Sequence, residues 1–335
     1  MNDSFPGEEE SIIAWLLGKD DPSVRYFTLT KLLGKGADDA EAVAARKAIM
    51  KKGAVPEILA LQGEDGAWGS PASFYTDKYA GTVWQLIMLA ELGADGSDAG
   101  VRRACDFILE NSQDKESGAF SMHASAKAGG GRHGDVIPCL TGNMACSLIK
   151  LGYGQDERVA RSIEWICEYQ LADDGDGNPP VAWPYERFDM CWGRHSCHMG
   201  VVKSLKALAA IRKDERSGKV EAKIEELAEF LLAHRVHLKS HDLTKVAKPG
   251  WLKFGFPLMY QTDALEILCV LKDLDIRDPR MSEALAAVAE KRGGDGRWKM
   301  QNSFNGKTLV DVEKRGEASK WITARALYVQ GAALA

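Results

Sequence analysis

The residues best suited to chemistry crowd into one run, Glu186-Arg-Phe-Asp189-Met-Cys191-Trp192-Gly-Arg194-His195-Ser-Cys197-His198-Met-Gly200. Carboxylate, thiol and imidazole stand together there, the donor types that hold a transition metal. The run opens onto an apolar helical pattern, CHMGVVKSLKAL, so its last members stand where a helix begins. A further thiol, Cys139, stands at the start of the preceding apolar pattern. Aligning Leu148 with Leu205 sets Cys139 opposite Ser196, in the same layer as Cys197. Cys139, Cys191, Cys197 and His198 then offer three sulfurs and a nitrogen, or two sulfurs, a nitrogen and an open position. Such a thiolate-rich set suits Zn²⁺, and an open position permits catalysis. Adjacent residues diverge along a helix, so Cys197 and His198 share a metal only at an irregular first turn. The alternative is a group of reduced thiols beside a hydrogen-bonded histidine.

Other helix starts supply the rest of a candidate pocket: Thr82 and Trp84, Thr141 and Asn143, Tyr260 and Asp263, Lys320 and Trp321. With Trp192 they give aromatic rings beside a few polar groups, which an apolar ligand with a polar head requires. Aromatic faces also stabilise a carbocation. Asp189 and Asp263 are the candidate catalytic carboxylates. Arg132, His133, Arg187 and Arg194 are placed to hold a diphosphate through charge-assisted bonds. Within AGGGRHG, the triple glycine Gly129-Gly130-Gly131 reads as a flexible lid, and no Walker-type Lys-Ser/Thr follows it. Asp173-Asp174-Gly-Asp176 reads as a turn, and His234, His237 and His241 as exposed loop histidines.

The elements that must position these groups repeat. Leu-Gly pairs end three helical patterns at Leu33-Gly34, Leu92-Gly93 and Leu151-Gly152, 59 residues apart each time. Glycine after the last periodic residue is a helix C-cap signal. Upstream run helices with few charges, such as GTVWQLIMLAEL. Between them lie amphipathic helices such as ERVARSIEWICEYQ, whose apolar residues recur at three and four. Helices apolar nearly all round belong inside and half-polar ones outside, so six alternations predict two concentric rings of helices with negligible strand. The last helix stays apolar to Ala335, which favours closure against the first over an open solenoid with polar caps.

The bulk numbers agree. The chain has 335 residues, 45% hydrophobic and 27% charged, with a formal charge of −5. It reads as one domain over 1–335. No Lys/Arg block stands out, so nucleic acid and anionic membranes are not expected partners. No signal peptide or stretch of 18 apolar residues is evident, which makes the cytoplasm the expected location. There the seven cysteines are free thiols or metal ligands.

A second repeat follows the outer helices. Gln62-Gly-Glu-Asp-Gly66-Ala-Trp68 reads Q-x3-G-x-W. Gln113 to Phe120 and Gly296-Arg-Trp298 are degraded copies, and Gln170 with Trp183 is a candidate fourth. These turns resemble the QW repeat of squalene and oxidosqualene cyclases, in register over nearly the whole chain. The resemblance implies the all-α, (α/α)6 toroid shared by terpenoid cyclases and protein prenyltransferases. The D-x-D-D acid run of the proton-initiating cyclases has no counterpart.

Asp189-x-Cys191-Trp192 looks like the zinc-binding D-x-C-aromatic stretch of prenyltransferase β-subunits. That family completes its site with a His in a Y-H-T context, where this chain has Tyr260-Gln261-Thr262. Cys197-His198-x-Gly200 is similar to the C-H-G stretch of lanthionine cyclases, with one residue inserted. The resemblances imply an enzyme acting on an isoprenoid or similarly apolar small molecule, with zinc as cofactor and a diphosphate as the polar head. The rivals are a lanthionine-type thiol cyclase and a non-catalytic barrel binding lipid or protein. Substrate and oligomeric state are not set by the sequence.

Overall fold

The computed structural model describes residues 6–331 apart from Asp176 and Pro179. In chain order its helices are α1 (Pro6–Leu16), α2 (Pro22–Phe27), α3 (Ala40–Ile49), α4 (Ala54–Ala60), α5 (Thr82–Leu92), α6 (Ala99–Asn111) and α7 (Pro138–Leu148). Then follow α8 (Glu157–Tyr169), α9 (Asp189–Trp192), α10 (His198–Ala209), α11 (Gly218–Ala233), α12 (Ala264–Asp273), α13 (Ser282–Ala289) and α14 (Lys320–Gln330). Among the described residues one small hairpin, β1 (Leu238–Lys239) with β2 (Asp242–Val246), is the only named sheet. The protein is mostly helical, as the periodicity requires.

The apolar helices pack in succession: α5 on α7, α7 on α10, α10 on α12, α12 on α14, and α14 on α2. Four of them carry a less buried helix on the back, α6 on α5, α8 on α7, α11 on α10 and α13 on α12. The division follows composition. Every residue of α7 is buried. The polar helix α6 buries Val101, Ala104, Cys105 and Ile108, a single stripe at helical spacing. Buried apolar side chains from Ile12 to Leu327 form one continuous cluster.

The α7–α10 pair approaches closest, and a glycine permits it. A Cβ on Gly142 would lie 2.4 Å from the backbone carbon of Lys203. Helix ends also obey the sequence. Gly34, Gly93 and Gly152 all take positive φ, 63°, 77° and 92°, the left-handed conformation that only glycine adopts cheaply.

The glutamine turns lock neighbouring repeats. Gln62 Nε2 donates to Gly66 O at 3.0 Å and to Gly100 O at 2.9 Å, reaching the start of α6. Gln113 Nε2 does the same to Gly118 O (2.9 Å) and Arg158 O (2.7 Å), at the start of α8. The tryptophans close helix C-termini, where carbonyls lack intrahelical partners. Trp68 Nε1 donates to Ile58 O and Trp298 Nε1 to Val288 O, both at 2.7 Å. Threonines complete the motif: Trp68, Phe120 and Trp298 each donate a backbone N–H to Thr82, Thr141 and Thr323 Oγ1 at 3.0–3.1 Å. Thr82 and Thr141 therefore hold the repeat together instead of offering pocket hydroxyls.

Gln170 and Trp183 do not form a fourth copy. Gln170 Oε1 accepts from Ser204 Oγ at 2.9 Å. Trp183 donates to His133 O and stacks on the His133 ring, centroids 4.2 Å apart. Nor is the triple glycine a loose lid. Gly131 N donates to Gln113 O at 2.7 Å, and a Cβ on Gly131 would lie 2.1 Å from Ser112 O. The glycines are there because the turn packs directly against backbone.

Candidate functional site

Two regions gather polar and aromatic groups. The first lies where α5, α7, α10 and α12 begin, and aromatic side chains from four segments meet there. Trp84, in the first turn of α5, contacts Tyr75 (centroids 5.3 Å apart), Tyr79 (5.8 Å) and Tyr260 (5.9 Å). Tyr79 in turn stacks on Phe304 at 4.3 Å and 22°. Polar ties fix the rings: Trp84 Nε1 donates to Tyr75 O at 3.0 Å, and Gln261 Nε2 to Tyr79 Oη at 3.1 Å. Gln261 Oε1 is buried with no donor among the described residues. Trp84 and Tyr260, candidates from the sequence, belong to this cluster. Tyr75, Tyr79 and Phe304 were not candidates, because they sit in connections without periodicity.

Three thiols border this cluster. Cys139 is buried in the first turn of α7, Cys197 is the N-cap residue of α10, and Cys191 lies on α9. Burial pushes the Cys139 thiol well up, and the neighbouring Cys191 and Cys197 push it further. Burial, then Cys197, raises Cys191 to about 12. Tyr75 is raised by burial first, then by Cys139 and Cys191. Cys139 and Cys197 stand at the starts of α7 and α10, helices that pack on each other.

The four-donor arrangement does not follow. His198 turns away, between α10 and α11, against His234 (centroids 4.2 Å apart), Trp251 (4.8 Å) and Phe230 (4.9 Å). Burial first, then His234, lowers it to about 3. The divergence of successive helical side chains wins over their adjacency in sequence. Among the described residues no three His, Cys, Asp or Glu side chains are arranged to hold a metal ion. With His198 turned toward His234, the residues present do not offer the four-donor set to a zinc ion.

The remaining candidates disperse. Asp189 is exposed, and Asp263 is buried as the N-cap of α12. Asp263 accepts from Glu266 N at 2.8 Å and Gly255 N at 3.0 Å. Burial dominates over these bonds and raises Asp263 to about 7. Arg132 and Arg187 are committed to the buried Asp135, at 3.1 and 2.9 Å, and His133 to Asp114 at 2.8 Å. Arg194 is exposed. Trp192 is buried against Trp165 and Tyr185. His234 and His237 are buried, contrary to their reading as exposed loop residues, since α11 runs as far as Ala233. His234 Nε2 meets Asp174 at 3.1 Å, while His241 is exposed as expected. Asp176 lies outside the described residues.

The second region is a cavity of about 360 Å³ lined by α5, α10, α12, α14 and the turns after α2 and α7. Trp321 belongs here, stacked on Phe256 at 4.0 Å, and not to the aromatic cluster. Glu91 accepts from Lys150 (2.7 Å), Lys206 (3.0 Å) and Arg325 (2.6 Å). Glu266 accepts from Lys203 (2.7 Å) and Lys206 (2.8 Å). Burial works to raise both carboxyls, and the surrounding cations outweigh it. Glu266 falls to about 2, and Glu91 lies well below the usual range. The sequence hid this network, because its members are spread over helices far apart in the chain.

No protein-family model matches the chain, and no curated protein does. Solved structures give distant likenesses. One is a type II terpene cyclase from Scytonema in complex with geranylgeranyl dihydroxybenzoate, 13% identical over 97% of both chains, TM-score 0.42. A GH76 α-mannanase from Bacteroides thetaiotaomicron is 13% identical over 98% of this chain and 94% of its own, TM-score 0.48. A protein from Actinoplanes is 13% identical over 98% of both chains, TM-score 0.44. No described helix is long and apolar enough to cross a membrane.

Proposed function

We propose that the chain is a single-domain (α/α)6 toroid that holds an isoprenoid or similarly apolar ligand at the end where its inner helices begin. The observation that carries this is the meeting of Tyr75, Tyr79, Trp84, Tyr260 and Phe304. Five rings presenting faces and edges, with hydroxyls at their margin, suit an apolar body with a small polar head. Aromatic faces also favour a developing cation, as terpenoid chemistry demands. The resemblance of the glutamine turns to those of squalene cyclases points the same way. Asp263 spends one oxygen on capping α12 and the other on Gly255 N, and Asp189 is exposed on another segment. The reading is therefore of a ligand-holding site and assigns neither residue as the acid of a reaction.

Equilibrium titration of the full chain with farnesol, geranylgeraniol and an α-mannan oligosaccharide tests the reading. Saturable binding of the prenols, weakened about tenfold or more by Tyr79→Ala, supports it. Binding of the oligosaccharide alone would replace it with a glycan reading.

A further inference from the structure

The five rings at the start of the inner helices are not held alike. Tyr79 is fixed by two bonds: Gln261 Nε2 donates to its hydroxyl at 3.1 Å and Gln85 Nε2 to its carbonyl at 2.8 Å. Phe304, stacked on Tyr79 with centroids 4.3 Å apart, stands on the connection between α13 and α14. Both sides of its segment are anchored. Asn302 N donates to the carbonyl of Phe254, itself buried, at 3.0 Å. Glu313 accepts from Lys320 N at 2.7 Å, from Trp321 N at 3.3 Å and from Ser319 Oγ, at the start of α14.

Between the anchors the chain ties only to itself. Among the described residues every hydrogen bond of Ser303–Val312 stays inside the segment or reaches Glu313. Gly306 N and Thr308 Oγ1 donate to Asp311 Oδ1 at 3.1 and 3.0 Å, and Asn305 Nδ2 to Glu313 O at 2.7 Å. No residue from Ser303 to Ala318 is buried, and Leu309 is 39% exposed. Self-contained bonding and little burial mark a part that opens without unfolding the rest. Val310 and Val312 rest half-buried on the core beside the Glu313 anchor. The stack of Phe304 on Tyr79 is the contact that holds the other end down.

We propose that Ser303–Val312 is a strap over the aromatic site, with Phe304 as its latch, which lifts off Tyr79 to admit the apolar ligand and closes over it again. The inference rests on the reading of that site given above. Phe304 covers a face of Tyr79 at an interplanar angle of 22°, so a ligand that is to lie on that face must first displace the ring. Opening breaks one aromatic stack and no hydrogen bond to the body of the protein, which makes the displacement cheap. On closing, the Phe304 ring exchanges Tyr79 for the ligand, and the segment shields the bound apolar body from water.

Farnesol is mixed with the full chain in a stopped-flow instrument and binding is followed by tryptophan fluorescence, in the parent chain, Phe304→Ala and Phe304→Tyr. Phe304→Ala removes the latch, and both association and dissociation quicken about three- to tenfold, the worth of one aromatic pair. Kd moves less than either rate, because the lost stack counts in the free and the bound state alike. Phe304→Tyr keeps the stack and the parent rates. Hydrogen exchange adds a readout that needs no substitution: amides of Ser303–Val312 exchange by local opening in the free chain and slow about tenfold in saturating farnesol. Farnesol binding with rates that Phe304→Ala leaves unchanged overturns the strap while the site reading stands. So does exchange in the segment that farnesol does not alter. A parent chain that binds no prenol overturns both.

Discussion

Arg325 of α14 donates Nη2 to Glu91 Oε2 of α5 at 2.6 Å, joining helices 234 residues apart in the chain. The same carboxylate accepts from Lys150 and Lys206, so α5, α10 and α14 and the turn after α7 share one buried acceptor. Removing one member of a buried ionic network leaves its partners uncompensated, which costs about 3–5 kcal/mol. Glu91→Gln keeps the shape and deletes the charge. Urea unfolding should show a loss of that order at pH 7. Glu91 and Glu266 titrate below their unfolded values in the folded chain. Their contribution is therefore complete above about pH 4.3 and is lost as pH falls through that value toward the folded ones. An unchanged urea midpoint at pH 7 would mean that the network does not hold the helices together.

The glutamine turns make an independent claim. Trp68 is fully buried and closes the C-terminus of α4. Trp68→Ala should destabilise the chain by about 3–5 kcal/mol, as for other buried large aromatics. Denaturant titration reads this directly, and a midpoint equal to that of the parent chain would leave the turn without a structural role.

The fold was legible because it is written in spacing. The 59-residue Leu-Gly interval reports helix length plus return, and Gly93 and Gly152 adopt the left-handed caps that their positions announced. The site was legible only in part. Register along parallel patterns put Cys139 beside Cys197, but side-chain direction is set within a single turn, and there His198 departs toward His234. Arg187 looked available in sequence, yet its partner Asp135 lies 52 positions earlier, in a connection that no period organises. Nor does spacing reveal that Lys206 and Glu266 meet, since they lie on separate helices 60 positions apart in the chain.

Asp263 gives a pH signature of opposite sign to that of Glu91. Its carboxyl is raised to about 7 by burial, against about 3.9 when unfolded. Between those values the folded chain binds more protons, so this group makes stability fall as pH rises. Asp263→Asn should flatten that part of the profile. Urea midpoints at pH 5 and pH 8 in both chains measure it, and equal slopes would show that Asp263 is ionised throughout.

Chelation addresses the thiols. His198 faces His234 and not the thiols, and among the described residues no three His, Cys, Asp or Glu side chains are arranged to hold a metal ion. Overnight dialysis against a strong chelator should leave the unfolding temperature unchanged. A fall of several degrees, with zinc released in proportion to protein, would restore the four-donor reading of Cys139, Cys191, Cys197 and His198.

The central claim is that the ligand rests on the rings of Tyr75, Tyr79, Trp84, Tyr260 and Phe304. The most direct measurement is photo-crosslinking of the full chain with a benzophenone-bearing farnesyl probe, mapped by peptide mass spectrometry with excess farnesol as competitor. The account predicts competed crosslinks in the peptides carrying Tyr79, Trp84, Tyr260 or Phe304. Crosslinks confined to the peptides of the opposite cavity, around Tyr328 and Phe27, or labelling that farnesol does not compete, would contradict it.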